Sequence, residues 1–337
     1  MDLLLSLPIV SYFLAPSVTS WSTSLNLLFF YMTWTTLVLS HSPLRVEIVG
    51  TLALRVLLWL VPSLIFLLFD GLIPTIAESL KQGGASALPP TANGPVILRT
   101  FGLALFNLGL STGVQAAISV LWTYGTGDTL FRASTTLPFP WQVIKHISLL
   151  LLTREILTYY LHGRLLHGTR SRPAALHKRH AHSRRAPPFS LLVFADHPLP
   201  FLLHRFVPAF LPAAILRPHL LTYFVFIGIV TLEETMAMSG YSTVPGIVMG
   251  GIARRTAIHY AAGGDGNFGP WGVLDWAHGT SVGKDVLEDV RDEAEKHAVK
   301  ERSEKAAVSG FSAVREGIEG ITSGKGKAKG RNTRRSS

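Results

Sequence analysis

Long apolar runs constrain the fold of this 337-residue chain more than any other sequence feature. Only 15% of its residues are charged, and 48% are hydrophobic. A helix that crosses a bilayer needs about 20 mostly apolar residues. The runs that match this description are Trp21–Ser40, Val56–Ile76, Phe101–Tyr124, Trp141–Tyr160, Phe201–Ile215 and Leu220–Met238. The sequence therefore predicts an all-α fold, a polytopic bundle of transmembrane helices. A shorter apolar run, Leu3–Val18, predicts an interfacial or re-entrant segment.

Basic residues give the predicted bundle an orientation. The segment 156–195 contains no acidic residue, and none follows Glu319 in the tail. Because cytoplasmic loops of membrane proteins carry an excess of Lys and Arg, we expect both regions in the cytosol. The runs Phe201–Ile215 and Leu220–Met238 then form a hairpin that enters the membrane and returns. The net charge of +10 points to an anionic membrane surface as the partner, and not to nucleic acid.

Composition divides the chain into three parts. Residues 1–140 hold N-terminal transmembrane helices and connectors, 141–283 are rich in histidine, and 284–337 are charged. Within the last part, Lys284–Arg302 predicts a solvated helix with ion pairs between residues four apart. Ser323–Ser337 is of low complexity and predicts disorder. The absence of cysteine excludes disulfides, thiolate metal sites and cysteine nucleophiles.

The distribution of the 13 histidines points to a site. Five fall within 21 residues directly after the fourth apolar run, two follow soon after, and one precedes an Asn-Phe-Gly sequence; they are His162, His167, His177, His180, His182, His197, His204 and His259. Neutral imidazole is a good ligand for iron, copper, zinc and nickel. A spacing of five, as in His162 and His167, is less well aligned on an α-helix than a spacing of four. The alternative is a basic interfacial loop that binds lipid headgroups.

Two carboxylates lie within the last apolar run, where ionisable side chains are costly and often functional. Glu233 and Glu234 are candidates for metal ligands or for acceptors behind a ligand histidine. The alternative, which we favour, is that they pair with nearby arginines. Further along, Trp276 is expected to anchor the chain at the membrane interface.

The order of these motifs resembles the fatty acid hydroxylase/sterol desaturase superfamily of integral membrane enzymes. The resemblance covers Arg154–Val282 and rests on YYLHGRLLH (Tyr159–His167), LHKRHAHS (Leu176–Ser183), LEETMAMSGYS (Leu232–Ser242) and GNFGPWGVLDWAHGTSVG (Gly266–Gly283). It implies a helical bundle whose cytosolic histidine-rich cap holds two non-haem iron ions. It also implies O2-dependent hydroxylation or desaturation of a sterol or fatty acyl lipid in the endoplasmic reticulum, with electrons from a haem protein or a reductase.

Carried over residue by residue, the resemblance implies a set of metal ligands with gaps. The matching ligands are His162, His167, His177, His180 and His259, with His182 as a candidate sixth. The superfamily has further histidines where this chain has Ala181, Met238, Thr256 and Tyr260, and His197, His204 and His278 are candidates to replace them. We expect the five matching histidines to face one cavity, with fewer than two metal ions per chain, nearest His162, His167 and His177. The alternative to an enzyme is a lipid-binding or structural homologue that has lost part of the metal site.

Overall fold

The fold is known from a computed structural model, which describes residues 21–90, 93–244 and 247–296. Within these ranges the chain forms helices and turns and no strand, which confirms the predicted all-α class. Three predicted segments lie outside the described residues, so the predictions for them stay predictions: Leu3–Val18, the part of Lys284–Arg302 after Lys296, and Ser323–Ser337.

Eleven described helices follow one another along the chain. They are α1 (Trp21–Ser40), α2 (Pro43–Leu72), α3 (Pro74–Leu80), α4 (Gly94–Thr126), α5 (Pro140–Thr158), α6 (Arg172–His180), α7 (Pro198–Leu216), α8 (Leu220–Ala237), α9 (Ile247–Ala261), α10 (Val273–His278) and α11 (Val286–Lys296). Three π-helical segments interrupt or extend them. Val56–Leu60 lies inside α2, Tyr159–His167 continues α5, and Leu202–Phe206 lies inside α7.

Four described helices, α2, α4, α7 and α8, are long and apolar enough to cross a membrane. They correspond to four of the six predicted runs, and the described apolar part of α1, Ser24–Ser40, is shorter. Helix α5 is not among the four, because Lys145, Arg154 and Glu155 interrupt its apolar sequence. The polytopic helical architecture is thus confirmed, with fewer span-length helices than predicted in the described ranges.

Helix α2 begins well before the predicted start at Val56, although its first part carries charged side chains. Glu47 and Arg55 are both buried against α4. Gln115 Nε2 donates to Glu47 Oε1 over 3.0 Å, and Arg55 Nη1 donates to Ser111 Oγ over 3.0 Å. Hydrogen bonds of this kind satisfy polar groups away from water. The charges therefore do not interrupt the apolar helix.

Helices α7 and α8 form the predicted hairpin. Arg217 makes the turn between them with a φ of +46°, and its guanidinium donates to the backbone oxygens of Thr129 and Leu130 over 2.8 and 3.1 Å. Helix α7 packs against α5, and α8 packs against α2 and α9. The hairpin therefore returns the chain to the end of the bundle from which it left, so that α6 and α9 lie at the same end.

Helix α11 confirms the predicted helix after Lys284 over its described part, and Arg291 Nε lies 3.2 Å from Glu295 Oε1, four residues on. The prediction of a solvated helix is wrong for one face. Asp289 is only 1% exposed and pairs with Arg254 and Arg255 of α9. These contacts hold α11 against α9.

A buried ion pair joins the end of α2 to the segment after α8. Lys81 Nζ donates to Asp70 Oδ2 over 2.6 Å, and both side chains are at most 1% exposed. Tyr241 Oη donates to Asp70 Oδ1 over 2.6 Å, and Lys81 Nζ also donates to Ser239 O over 3.2 Å. The pair therefore fixes the chain that follows the hairpin.

Replacing Lys81 with methionine is expected to lower the free energy of unfolding by about 3–5 kcal/mol, because Asp70 would stay buried without its counter-charge. Denaturant unfolding of the detergent-purified protein measures the loss. The double variant Lys81→Met/Asp70→Asn should recover part of it, since no charge remains unpaired. A loss below about 1 kcal/mol for the single variant, the range of an exposed pair, would contradict the assignment.

Candidate metal centre

Six histidines from four segments of the chain meet at one point. Neighbouring ring centres lie 4.8–5.2 Å apart, and we call this set the histidine cluster: His162, His167, His177, His182, His204 and His259. Ligand atoms of four members, His162, His167, His182 and His259, all lie within 4.8 Å of one another. His177, His204 and Asp196 form an adjoining group of the same kind.

A π-helix explains how the first two members meet. His162 and His167 lie in the segment Tyr159–His167, whose hydrogen bonds join residues five apart. Residues at that spacing therefore face the same side, and the Nε2 atoms of the two histidines are 3.3 Å apart. His204 lies in a second π-helical segment, Leu202–Phe206. The spacing that fits an α-helix poorly is thus the correct spacing for this segment.

Hydrogen bonds behind the rings fix their orientation. In four members, Nδ1 donates to an acceptor outside the cluster: His162 to Phe268 O (3.1 Å), His177 to Asp196 Oδ2 (2.6 Å), His204 to Pro200 O (2.7 Å) and His259 to Gly266 O (2.6 Å). A neutral imidazole with its proton on Nδ1 carries a bare lone pair on Nε2. Metal-binding histidines have this arrangement, in which an outer acceptor selects the tautomer.

Among the described residues, several ring nitrogen atoms that point into the cluster lack a suitable hydrogen-bond partner. His162 Nε2 and His177 Nε2 lie 3.3 Å apart, and both are acceptors when each neutral ring carries its proton on Nδ1. The buried atoms His259 Nε2, His182 Nδ1 and His182 Nε2 have no hydrogen-bond partner among the described residues. Unpaired buried polar atoms are costly. A metal ion would satisfy these lone pairs together, and the residues present therefore fit a histidine-bound metal.

Burial favours the neutral form of His167 and His259. It lowers the pKa of His259 to about 4, and burial together with the neighbouring histidines lowers the pKa of His167 to about 2. Imidazole has to be deprotonated to bind a metal. Both side chains are therefore ready to act as ligands at neutral pH.

The Asn-Phe-Gly and Asp-Trp sequences build the acceptors behind two of the rings. Asp275 accepts from the backbone N–H of Phe268 over 2.8 Å and from the Thr280 hydroxyl over 2.7 Å. Asn267 donates to Val282 O over 2.9 Å and accepts from Val282 N over 3.1 Å. These bonds hold the loop whose carbonyl groups receive the Nδ1 protons. Trp276 of the same segment is half exposed.

The structure brings together five of the six predicted ligands, all except His180. The ring of His180 lies 5.1 Å from that of His197, and its Nδ1 donates to Leu176 O over 2.9 Å. Residues three apart point about 60° apart around an α-helix, and on α6 only His177 faces the cluster. Of the candidate replacements, His204 joins the cluster, whereas His278 stacks on Tyr159 at 5.0 Å.

A cavity of about 60 Å³ adjoins His162, His204 and His259. The cavity is also lined by three of the four residues that stand where the superfamily has histidine: Met238, Thr256 and Tyr260. Ala181, the fourth, packs against an apolar group that includes Met238 and Tyr260. The sequence changes are therefore concentrated beside the cluster and not within it.

Charged residues form the rest of the cavity wall. Arg154 pairs with Glu233 over 2.7 Å and with Glu234 over 3.0 Å, and Arg205 pairs with Glu234 over 3.2 Å. Glu233 Oε2 accepts from Trp271 Nε1 over 3.0 Å. The two glutamates are thus arginine partners, as the favoured interpretation predicts.

Asp196 is the functional residue that sequence reasoning misses. It is 4% exposed and accepts the Nδ1 proton of His177. Its signal in the sequence is an isolated carboxylate directly before His197, at the end of a basic segment without other acids.

Asp196→Asn is expected to weaken metal binding about 10–100-fold, the usual cost of losing an acceptor behind a ligand. Competition with a chelator of known affinity measures the change on the purified protein. The exposed Asp128, replaced in the same way, provides the control and should bind metal like the wild type. Equal affinity in all three proteins would remove Asp196 from the site.

Part of the chain is similar to a known protein family. Residues 147–280 match the family model described as fatty acid hydroxylase. No solved structure matches the chain. The matched residues extend from α5 to the Gly-Thr after α10 and contain every member of the histidine cluster. Residues 147–280 are therefore similar to the fatty acid hydroxylase family, which is part of the fatty acid hydroxylase/sterol desaturase superfamily.

Proposed function

We propose that this chain is a membrane-bound hydroxylase or desaturase that oxidises a sterol or fatty acyl lipid with O2 at a histidine-bound iron centre. The observation that carries the proposal is the pair of bare Nε2 atoms of His162 and His177, 3.3 Å apart and both held by outer acceptors. A metal ion bound by both atoms would remove the repulsion between their lone pairs while the rings stay neutral. Non-haem iron bound by imidazole supplies the O2 chemistry that an unactivated C–H bond requires.

The position of the cluster supports a lipid as the substrate. His204 lies in α7, one of the helices of membrane-spanning length, and His162 follows α5 directly. A lipid that approaches along these helices meets the cavity beside the cluster. The cavity's charged wall, with Arg154 and Arg205 held by glutamates, gives a polar substrate end a place to bind.

The same site suggests where the electrons enter. Arg164 and Lys178 line a surface cleft that reaches His167. We infer that an acidic haem protein or a reductase docks on this face, in the cytosol, with the protein in the endoplasmic reticulum. The positive-inside rule supports this orientation.

A non-catalytic homologue is the second candidate. It is favoured by Met238, Thr256 and Tyr260, which place no imidazole on their side of the cavity. Such a protein would keep the fold and bind lipid without oxidising it.

Expression in cells grown under ¹⁸O2, followed by mass spectrometry of the membrane lipids, distinguishes the two functions. A hydroxylase adds one ¹⁸O atom to a lipid, and a desaturase removes two hydrogen atoms from one. Either product should disappear in the His259→Ala variant and persist in His278→Ala, whose side chain lies outside the cluster. An unchanged lipid profile with metal-loaded wild-type protein would favour the non-catalytic homologue.

A further inference from the structure

Five rings of the histidine cluster form a square pyramid. The ring of His167 is the apex, with its centre 4.9–5.1 Å from each of the other four. The base runs in the order His162, His177, His182, His259, and its edges measure 5.2, 4.9, 4.8 and 4.8 Å. Among these five described residues, the two diagonal pairs of the base, His162 with His182 and His177 with His259, are not in ring contact. The five rings therefore surround a single point.

The size of the pyramid suits one metal ion. A square with edges of about 5 Å has its centre about 3.5 Å from each corner. A metal–nitrogen bond of about 2.1 Å, plus about 1.1 Å from that nitrogen to the ring centre, gives about 3.2 Å. Two metals in one centre lie about 3.5–4 Å apart and would divide the rings into two separate groups. The ligand atoms form two groups here, but His177 of the second group is in ring contact with His162, His167 and His182 of the first. The observed spacing leaves room for one ion at the centre of the base.

The sixth histidine does not complete a second site. His204 is in ring contact with His162 at 5.0 Å and with His177 at 5.1 Å, along one edge of the base. The carboxylate next to it, Asp196, already accepts the Nδ1 proton of His177. The adjoining group of possible ligands is therefore better described as the outer support of the first site.

A fixed positive charge lies where further ligands are missing. Arg205 Nη2 is 3.8 Å from the sulfur of Met238, and Arg205 lines the cavity together with Thr256 and Tyr260. A guanidinium stays charged at every physiological pH and has no lone pair to offer a metal. Both carboxylate oxygens of Glu233 are already used, by Arg154 and by Trp271. Arg205 also pairs with Glu234 over 3.2 Å, so both glutamates of the cavity wall are bound to arginines and neither is a free ligand for a second cation.

We propose that this chain holds one metal ion, bound by His162, His167, His177, His182 and His259, and that Arg205 keeps a second metal out of the adjoining cavity. The inference rests on the proposed function only in assuming that the cluster binds a metal. It departs from the two irons that the superfamily implies.

Iron content per chain tests the proposal. The full-length protein in detergent is loaded anaerobically with Fe(II), dialysed against metal-free buffer and analysed for iron and protein. We expect one iron per chain, and none in His162→Ala. Two tightly held irons per wild-type chain would overturn the inference, whereas no iron at all would overturn the proposed function itself.

A second set of variants tests the role of Arg205. Met238→His/Thr256→His/Tyr260→His supplies three imidazoles around the cavity and should still bind one iron while Arg205 is present. Adding Arg205→Gln should raise the content to two. Two irons in the triple variant with Arg205 intact, or one iron after Arg205→Gln, would show that Arg205 does not exclude the second ion. The wild-type measurement remains decisive for the stoichiometry if these variants fold poorly.

Discussion

Gly264→Ala is expected to empty the metal centre, although Gly264 is not a ligand. The backbone of Gly264 has a φ of +96°, and a methyl group there would overlap the His167 ring and lie 3.2 Å from His182 Nε2. Two ligands would have to move, and metal sites tolerate shifts of only about 0.5 Å. We expect at least about a 100-fold loss of iron affinity, beyond the usual effect of an outer residue. Competition with a chelator measures it.

Gly279→Ala is the matched control for this prediction. Gly279 has a φ of +66°, and a methyl group there would meet no atom within 4 Å. The two variants thus share a backbone strain of about 1–2 kcal/mol and differ in the overlap with the cluster. If both lose iron equally, the cause is the backbone and not the close approach to His167 and His182.

His162→Ala should remove metal binding more completely than a change at any outer acceptor. Its ring is in contact with four others, at centre distances of 4.8–5.2 Å: those of His167, His177, His204 and His259. No ring of the cluster has more such contacts. Loss of this ring removes a ligand and leaves a gap between the others. Since an outer acceptor accounts for about 10–100-fold in affinity, we expect a loss above about 100-fold. Isothermal titration with Fe(II) under anaerobic conditions measures it.

The control for His162→Ala is His278→Ala, which removes an imidazole that stacks on Tyr159 outside the cluster. It should bind iron like the wild type. Full affinity in His162→Ala, or equal losses in both variants, would show that binding depends on something other than the histidine cluster.

Sequence reasoning predicts the helical membrane class and the ligand types because both depend on local patterns. Long apolar runs indicate helices that are buried in lipid, and a group of histidines after one such run indicates a metal site. The sequence prediction places the start of α2 too late. The residues that donate hydrogen bonds to the buried Glu47 carboxylate lie on another helix, α4. Sequence distance does not reveal such pairs.

Local backbone geometry accounts for most of the differences at the site. The π-helical turn that aligns His162 with His167 has no signature beyond the spacing itself, and the one in α7 brings His204 into the cluster. His180 has the expected spacing from His177, but it packs against His197 instead. Asp196 acts through a hydrogen bond to a residue 19 positions earlier, which only the folded chain brings into contact.

X-ray absorption at the iron edge of the wild-type protein tests the central claim, that the histidine cluster is a metal centre, most directly. The protein is loaded with Fe(II) in detergent and freed of loosely bound metal. We expect about five nitrogen neighbours at about 2.1 Å, with the outer-shell scattering of imidazole rings and no second iron nearby. A shell of oxygen atoms without imidazole scattering would place the iron elsewhere on the chain and contradict the account.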